Sequence, residues 1–270
     1  MSKHVVIMRH NCHEFANKLW SDMAIFAYAL AAKASVWDLA RFETGPLAPL
    51  HKVLALLVGR ATASAQYVLL PPTAPMEGKF ADKWTLYFFG WLYKNPEGFS
   101  RYRKELVNKF GPTAREEVQL KKIFAQLPPD RAIIGVCVRL KSFLYFPDGE
   151  FLVPPERARD VVVEYLRERG LEPDQVALVL VADKPVPPYI FKDFTTYAPE
   201  HDDRTNLLLL SKCSAIIGTN TSFCNLAAWF GDVPHIVTTK NPIDWGYYQD
   251  KRQYFDNKYA TFTFGAPGQE

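Results

Sequence analysis

The chain has 270 residues, 48% of them hydrophobic and 23% charged, with a formal net charge of +3. That is an ordinary globular composition, long enough to bury a core without staples and too nearly neutral to argue for nucleic acid as the main partner. Four cysteines, Cys12, Cys137, Cys213 and Cys224, show neither CxxC nor Cys/His spacing. No zinc site is therefore expected, and the thiols read as free in a reducing compartment.

The first segment, HVVIMRH, is a short β-branched run that reads as a buried strand. It soon meets Arg9 and His10, so no secretory signal is expected, and the protein is expected to be cytoplasmic. A polar loop, Asn11 to Glu14, leads into residues 15 to 33, where Phe15, Leu19, Met23, Phe26 and Leu30 recur at helical spacing. The apolar stretch around Ile25 to Ala32 is too short to span a bilayer. SVWDL at 35 to 39 and AQYVLLPP at 65 to 72 read as the next strands, with a helix over 46 to 59 between them.

Residues 83 to 128 begin with an aromatic cluster (Trp84, Tyr87, Phe88, Phe89, Trp91, Tyr93), expected in the core, with stacking of a sugar ring on one of them as the alternative. A charged helical stretch follows at about 98 to 126. Gln126 to Asp130, with two prolines, punctuates the chain. Three regions are expected: 1 to 128 as an N-terminal α/β domain, 129 to 245 as a C-terminal nucleotide-binding domain, and 246 to 270 as a tail on the first domain. Trp245, Tyr247, Tyr248 and Tyr254 are expected to make that last contact, with facing a sugar as the alternative.

From 131 onward, apolar strands alternate with helices. AIIGVCV is a continuous apolar strand; ERARDVVVEYLRERG follows Pro154-Pro155 as a helix and stops at Gly170. VALVLVAD is a second strand, and Asp202-Asp203 opens a second helix. SAIIGT is a third strand, NTSFCNLAAWFG a cap, helix and stop, and HIVTT a fourth strand. This alternation predicts a doubly wound α/β fold, a parallel sheet covered on both faces.

Ligands of such sheets bind beyond the carboxyl ends of the strands. Three polar features fall there: Arg139 after the first strand, Asp183 after the second, and Asn220-Thr221-Ser222 after the third. The planar fork of an arginine suits phosphate oxygens, and a helix N-terminus favours an anion. Together they could hold a diphosphate, with Asp183 accepting from a ribose, base or sugar group. Each also has a plain structural use. Arg139 could be an ion-pair partner, Asp183 could pair with Lys184 or close a turn, and Asn220 or Ser222 could cap a helix. No GxGxxG and no Walker-type GxxxxGK[ST] occurs, which argues against the commonest dinucleotide and nucleoside triphosphate sites.

The segments VCVRLKSF, LVLVADKP and DDRTNLLLLSKCSAIIGTNTSFCNLAAWFG, in that order, resemble the C-terminal half of the α-1,2-fucosyltransferase family, among the GDP-fucose-dependent transferases. ANKLWSDMAIFAYALAAKASVWDL is similar to that family's first helix and following strand, and Tyr87 to Phe110 to its aromatic stretch. The resemblance implies two Rossmann-like domains facing a cleft, the glycosyltransferase B type. It implies an inverting, metal-independent transfer of a sugar, fucose foremost, from a GDP-sugar to a glycan hydroxyl, with no cofactor beyond the donor. Arg139 would contact the diphosphate and help GDP leave. Asp183 would bind the nucleotide side of the donor, and Asn220, Thr221, Ser222 and Phe223 would line its pocket. Asn17 would reach the donor from the first helix.

Where the family ends its strand with His-x-Arg-Arg, this chain has Cys137, Val138, Arg139 and Leu140; its glycine-rich first loop is replaced by Cys12-His13-Glu14-Phe15-Ala16. These departures keep two alternatives open: a nucleotide-sugar or glycan binding protein without catalysis, and a transferase using another nucleotide sugar. An inverting transfer wants a general base at the acceptor hydroxyl. His13 and Glu14 are the candidates, as histidine titrates near neutrality. An ordinary polar surface loop is the competing reading of both.

Overall fold

The structure, a computed structural model, describes residues 4–7, 14–40, 46–50, 53, 85–88, 95–141 and 152–249. By its own contacts the chain divides at Gly111 and Pro112 into two compact units.

In the first unit, strands β1 (His4–Ile7), β2 (Ser35–Asp38) and β3 (Thr85–Phe88) form a parallel sheet in the order β2-β1-β3. Helix α1 (Phe15–Ala31) links β1 to β2. Of the apolar positions seen at helical spacing, Leu19 and Met23 are buried, as are Trp20, Ala24 and Ala27 beside them, while Phe15, Phe26 and Leu30 are half-buried. Helices α2 (Pro96–Arg101) and α3 (Arg103–Phe110) follow β3. Asn95 sits between α1 and α2: its side-chain oxygen accepts from the Gly98 N–H at 2.9 Å, and its amide nitrogen donates to the Ala24 carbonyl at 3.2 Å. Trp20 then packs on Phe99, with ring centroids 5.4 Å apart. The strand expected at 65 to 72 lies outside the described residues, as does most of the helix expected at 46 to 59.

The second unit begins with α4 (Ala114–Phe124), well before the expected break at 126 to 130. This helix buries Leu120 and Ile123 and carries two ion pairs. Glu116 pairs with Arg204, and Lys212 with Glu117 at 2.8 Å, which joins α4 to the later helix α6 (Asp203–Leu210). Charged partners 88 and 95 residues apart leave no local mark on the sequence, so the proline pair was the more visible boundary.

The remaining elements follow the expected alternation closely: β4 (Ala132–Val138), α5 (Pro155–Arg169), β5 (Val176–Ala182), β6 (Thr195–Tyr197), α6, β7 (Ala215–Thr219), α7 (Ser222–Gly231) and β8 (His235–Thr238). β6 is an addition that three residues of TTY did not announce. α5 stops at Gly170, whose φ of 63° puts it in the left-handed conformation that glycine adopts without strain.

All five strands are parallel, in the order β6-β5-β4-β7-β8. Alternation along β4 shows both faces covered. Ile134, Val136 and Val138 join the core cluster that holds Val161, Val162 and Tyr165 of α5. On the opposite face, a side-chain carbon at Gly135 would come 2.7 Å from Leu210 of α6. One at Gly218 of β7 would lie 3.0 Å from Cys224 of α7.

After β8 the chain lies across α5. Arg157 donates to the carbonyls of Thr239 and Asn241, at 3.2 and 3.0 Å. The Trp245 indole N–H donates to Glu164 at 3.3 Å, and Tyr248 is 2% exposed in the α5 core cluster. Trp245, Tyr247 and Tyr248 thus pack on the core of the second unit, where the sequence had suggested the first. Three α5 side chains (Arg157, Glu164 and Arg169) hold this segment down. The rest of the tail, from residue 250 and including Tyr254, lies outside the described residues.

Candidate functional site

The strand order of the second unit reverses between β4 and β7: β5 and β6 lie on one side of β4, β7 and β8 on the other. At such a reversal the loops leaving the two central strands part in opposite directions and open a crevice beyond their carboxyl ends. Arg139 is the first residue after β4, and Asn220 the first after β7. The two features that could hold a diphosphate therefore leave neighbouring strands at the switch point. Cys137 and Gly218 are paired in the ladder, two residues before each of them.

Arg139 and Asp183 do meet. Ladder pairing of β4 with β5 ends at Val138 and Ala182, and these two residues come next. Nε of Arg139 lies 3.5 Å from Oδ2 of Asp183, with side-chain exposures of 19% and 14%. Oδ1 of Asp183 also accepts from the Leu140 N–H at 2.7 Å and the Lys141 N–H at 3.2 Å; Oδ2 lies 3.1 Å from the Lys141 nitrogen. Of the structural uses weighed for Asp183, closing a turn is the one seen, and its ion pair is with Arg139 and not Lys184.

The Asn-Thr-Ser turn opens α7, but the cap is Thr221, and neither Asn220 nor Ser222. Thr221 Oγ1 accepts from the Cys224 N–H at 3.1 Å, and the Thr221 carbonyl accepts from Asn225 N–H at 3.0 Å. Ser222 and Phe223 occupy the first helical positions, where N–H groups have no acceptor within the helix. Phe223 is 6% exposed and Ser222 8%, so the turn is packed into the body of the unit.

Beneath the turn lies a buried polar layer that sequence reading missed. Asn225 and His235 are fully buried, and Asn225 Oδ1 lies 2.7 Å from His235 Nδ1. Cys137, Cys213 and Cys224 are free and buried. Contact with the Cys224 thiol, then burial, pushes the Cys137 thiol well up, so it stays protonated. One signal for this layer was present: an isolated glycine inside the AIIGT strand marks close approach of neighbours. A side-chain carbon at Gly218 would lie 3.0 Å from the Cys137 Cβ, the Cys137 carbonyl and the Cys224 sulfur.

In the first unit, Glu14 is the exposed residue just before α1, and Asn17 lies in its first turn. His13 lies outside the described residues. Among the described residues, no group of three or more His, Cys, Asp or Glu is placed to hold a metal ion, and no helix is long and apolar enough to cross a membrane.

No protein-family model matches the chain, and no curated protein matches it. Solved structures do resemble it. Mutant FUT1 of Arabidopsis thaliana in complex with GDP aligns with a TM-score of 0.55 and 13% identity, over 88% of this chain and 70% of that one. POFUT1 in complex with GDP aligns with a TM-score of 0.55 and 12% identity, over 86% and 96%. NodZ α-1,6-fucosyltransferase co-crystallised with GDP aligns with a TM-score of 0.54 and 14% identity, over 88% and 95%. At these identities the likeness is one of fold: an α/β chain with parallel sheets.

Proposed function

We propose that this chain is a glycosyltransferase that moves a sugar, fucose in the first instance, from a GDP-sugar to a glycan hydroxyl. The observation that carries the reading is the placement of Arg139 and the Asn220–Phe223 turn on the two strands that flank the reversal of strand order. The fold shared with FUT1, POFUT1 and NodZ, each crystallised with GDP, supports it. In this reading the two units are the two Rossmann-like halves of a glycosyltransferase B fold, and the donor lies on the second.

The chemistry is a single displacement with inversion. A base takes the proton of the acceptor hydroxyl, whose oxygen attacks the anomeric carbon as the bond to GDP breaks. Negative charge grows on the departing diphosphate. The Arg139 guanidinium and the dipole at the start of α7 are the positive groups assigned to meet it, without a metal. Asn220, Thr221, Ser222 and Phe223 shape the donor pocket. Asn17 is assigned to the donor from α1, and His13 or Glu14 to the base.

Cys137 favours a second reading, a nucleotide-sugar binding protein without transfer. The family's histidine is replaced by a thiol that is 1% exposed and in contact with the Cys224 thiol. A third reading keeps the transfer and changes the nucleotide.

One experiment separates these readings. GDP and GDP-fucose are expected to raise the melting temperature, since a ligand at 100 times its Kd stabilises the folded state by about 2.7 kcal/mol. Arg139→Ala is expected to abolish the shift. An unchanged shift in that variant would show the site to be wrong. A UDP-sugar giving the larger shift selects the third reading, and GDP release with an oligosaccharide acceptor eliminates the second.

A further inference from the structure

We infer that Asp183 is a positioning residue for Arg139 and touches no part of the donor. This rests on the reading of the strand ends as a diphosphate site, and it reassigns the aspartate that the sequence alone would place on the nucleotide.

A carboxylate offers about four acceptor positions. Oδ1 of Asp183 takes the N–H groups of Leu140 and Lys141, at 2.7 and 3.2 Å. Oδ2 faces the Lys141 N–H at 3.1 Å and the Arg139 Nε at 3.5 Å. One side chain, only 14% exposed, therefore engages three successive residues at the point where β4 leaves the sheet. Those backbone N–H groups lie beyond the last ladder pair, Val138 with Ala182, so β5 offers them no carbonyl. The carboxylate takes the place of the missing ladder.

The contact to Arg139 is an ion pair, 3.5 Å from Nε and without a hydrogen bond, between side chains only 19% and 14% exposed, and it holds the guanidinium at the strand end. A planar fork must be oriented before it can grip a diphosphate with two parallel bonds. Neutralising or moving the carboxylate therefore acts on the phosphate end of the donor alone. A direct contact to ribose or base would act on the nucleoside end.

Three probes separate these: GDP, inorganic pyrophosphate and guanosine, titrated into the full chain and followed by calorimetry or ligand-observed NMR. Asp183→Asn keeps the shape and one acceptor. It is expected to weaken GDP and pyrophosphate by the same factor, about fivefold at most, the upper worth of a partly solvated ion pair. Guanosine binding is expected to stay unchanged. Asp183→Glu, which keeps the charge but moves the carboxylate, is expected to give the same phosphate-selective loss, and it serves if the Asn variant fails to fold. In an Arg139→Ala background, Asp183→Asn is expected to weaken pyrophosphate no further, because the group it positions is gone. Guanosine weakened as much as GDP would overturn the inference while leaving the diphosphate site standing. Wild-type protein that binds none of the three probes would overturn the reading of the site, and this inference with it.

Discussion

Asn225 and His235, ten residues apart in sequence, meet in the fully buried layer under α7, with Oδ1 2.7 Å from Nδ1. An amide oxygen can only accept, so His235 Nδ1 carries the proton and donates. Asn225 thereby fixes the imidazole from the same turn of α7 that receives the Thr221 cap. The N-terminus of α7 is held by the Thr221 cap and, one turn on, by this pair. An anion site made of backbone N–H groups depends on such fixing, since the groups have no side-chain freedom with which to recover their aim.

Asn225→Leu keeps the volume and removes the acceptor. It is expected to destabilise the protein by about 1–3 kcal/mol, the cost of stranding a buried donor. Urea unfolding followed by tryptophan fluorescence measures it. A change within about 0.5 kcal/mol, as for an ordinary surface substitution, would show that His235 finds another acceptor.

Gly218 gives the second prediction. It lies on β7, two residues before Asn220, where an added carbon would come within 3.0 Å of Cys137 and Cys224. One of the crowded atoms is the Cys137 carbonyl, part of the β4 backbone, which cannot rotate away. Gly218→Ala is therefore expected to push β7 from β4 and cost about 1–3 kcal/mol, as overpacking does. Cys224→Ala relieves the sulfur contact but not the backbone one. The two costs should add to less than their sum in a double-mutant cycle read by denaturant midpoints.

The sequence made most of the second unit legible because its strands are apolar throughout. Parallel strands buried on both faces need no alternation, and AIIGVCV, VALVLVA and HIVT stand out from the charged helix ERARDVVVEYLRER between the first two. Helix ends were legible where a residue type carries the geometry, as at Gly170 and Asp202. Strand order was not, because it is set by which faces pack and not by any one segment. The same limit hid the partners of Asp183. Its contacts to residues 140 and 141 span more than forty positions, and an aspartate after a strand looks the same whether it serves a ligand or a turn. β3 was hidden within an aromatic run whose composition suits core and strand alike.

Glu116 provides a pH prediction. Its hydrogen bond with Arg204 is the largest cause that holds its carboxyl down at about 2, against an ordinary 4.5, and its place in the capping box with Thr113 adds to this. The folded state thus binds fewer protons than the unfolded state between those values. The contribution is present in full above about pH 4.5 and is lost as the pH falls toward 2. The pair is partly solvated, so about 1 kcal/mol or less is expected from it. Glu116→Gln should lower the urea midpoint at pH 7 and leave it near that of the wild type at pH 2.5. An equal loss at both pH values would assign the effect to the helix cap rather than to charge.

Arg157 provides the last. Its guanidinium reaches three acceptors at once: the Thr239 carbonyl through Nε, the Asn241 carbonyl through Nη2 and Glu164 through Nη1 at 2.7 Å. Glu164 in turn accepts from the Trp245 indole at its other oxygen. The segment after β8 is therefore tied to α5 by a branched arrangement that a rigid, planar fork can make and an ammonium cannot. Arg157→Lys keeps the charge and is expected to lose at least one of the two carbonyl contacts. Local opening of 239–249 should then become easier without global unfolding, because Ile236 and Val237 stay buried in β8. Hydrogen exchange followed by mass spectrometry is expected to show faster exchange at Trp245, Tyr247 and Tyr248, whose N–H groups bond within the segment. Exchange in β4 and β5 should not change. If those strands speed up as well, the segment is part of the global folding unit and not a strap laid over it.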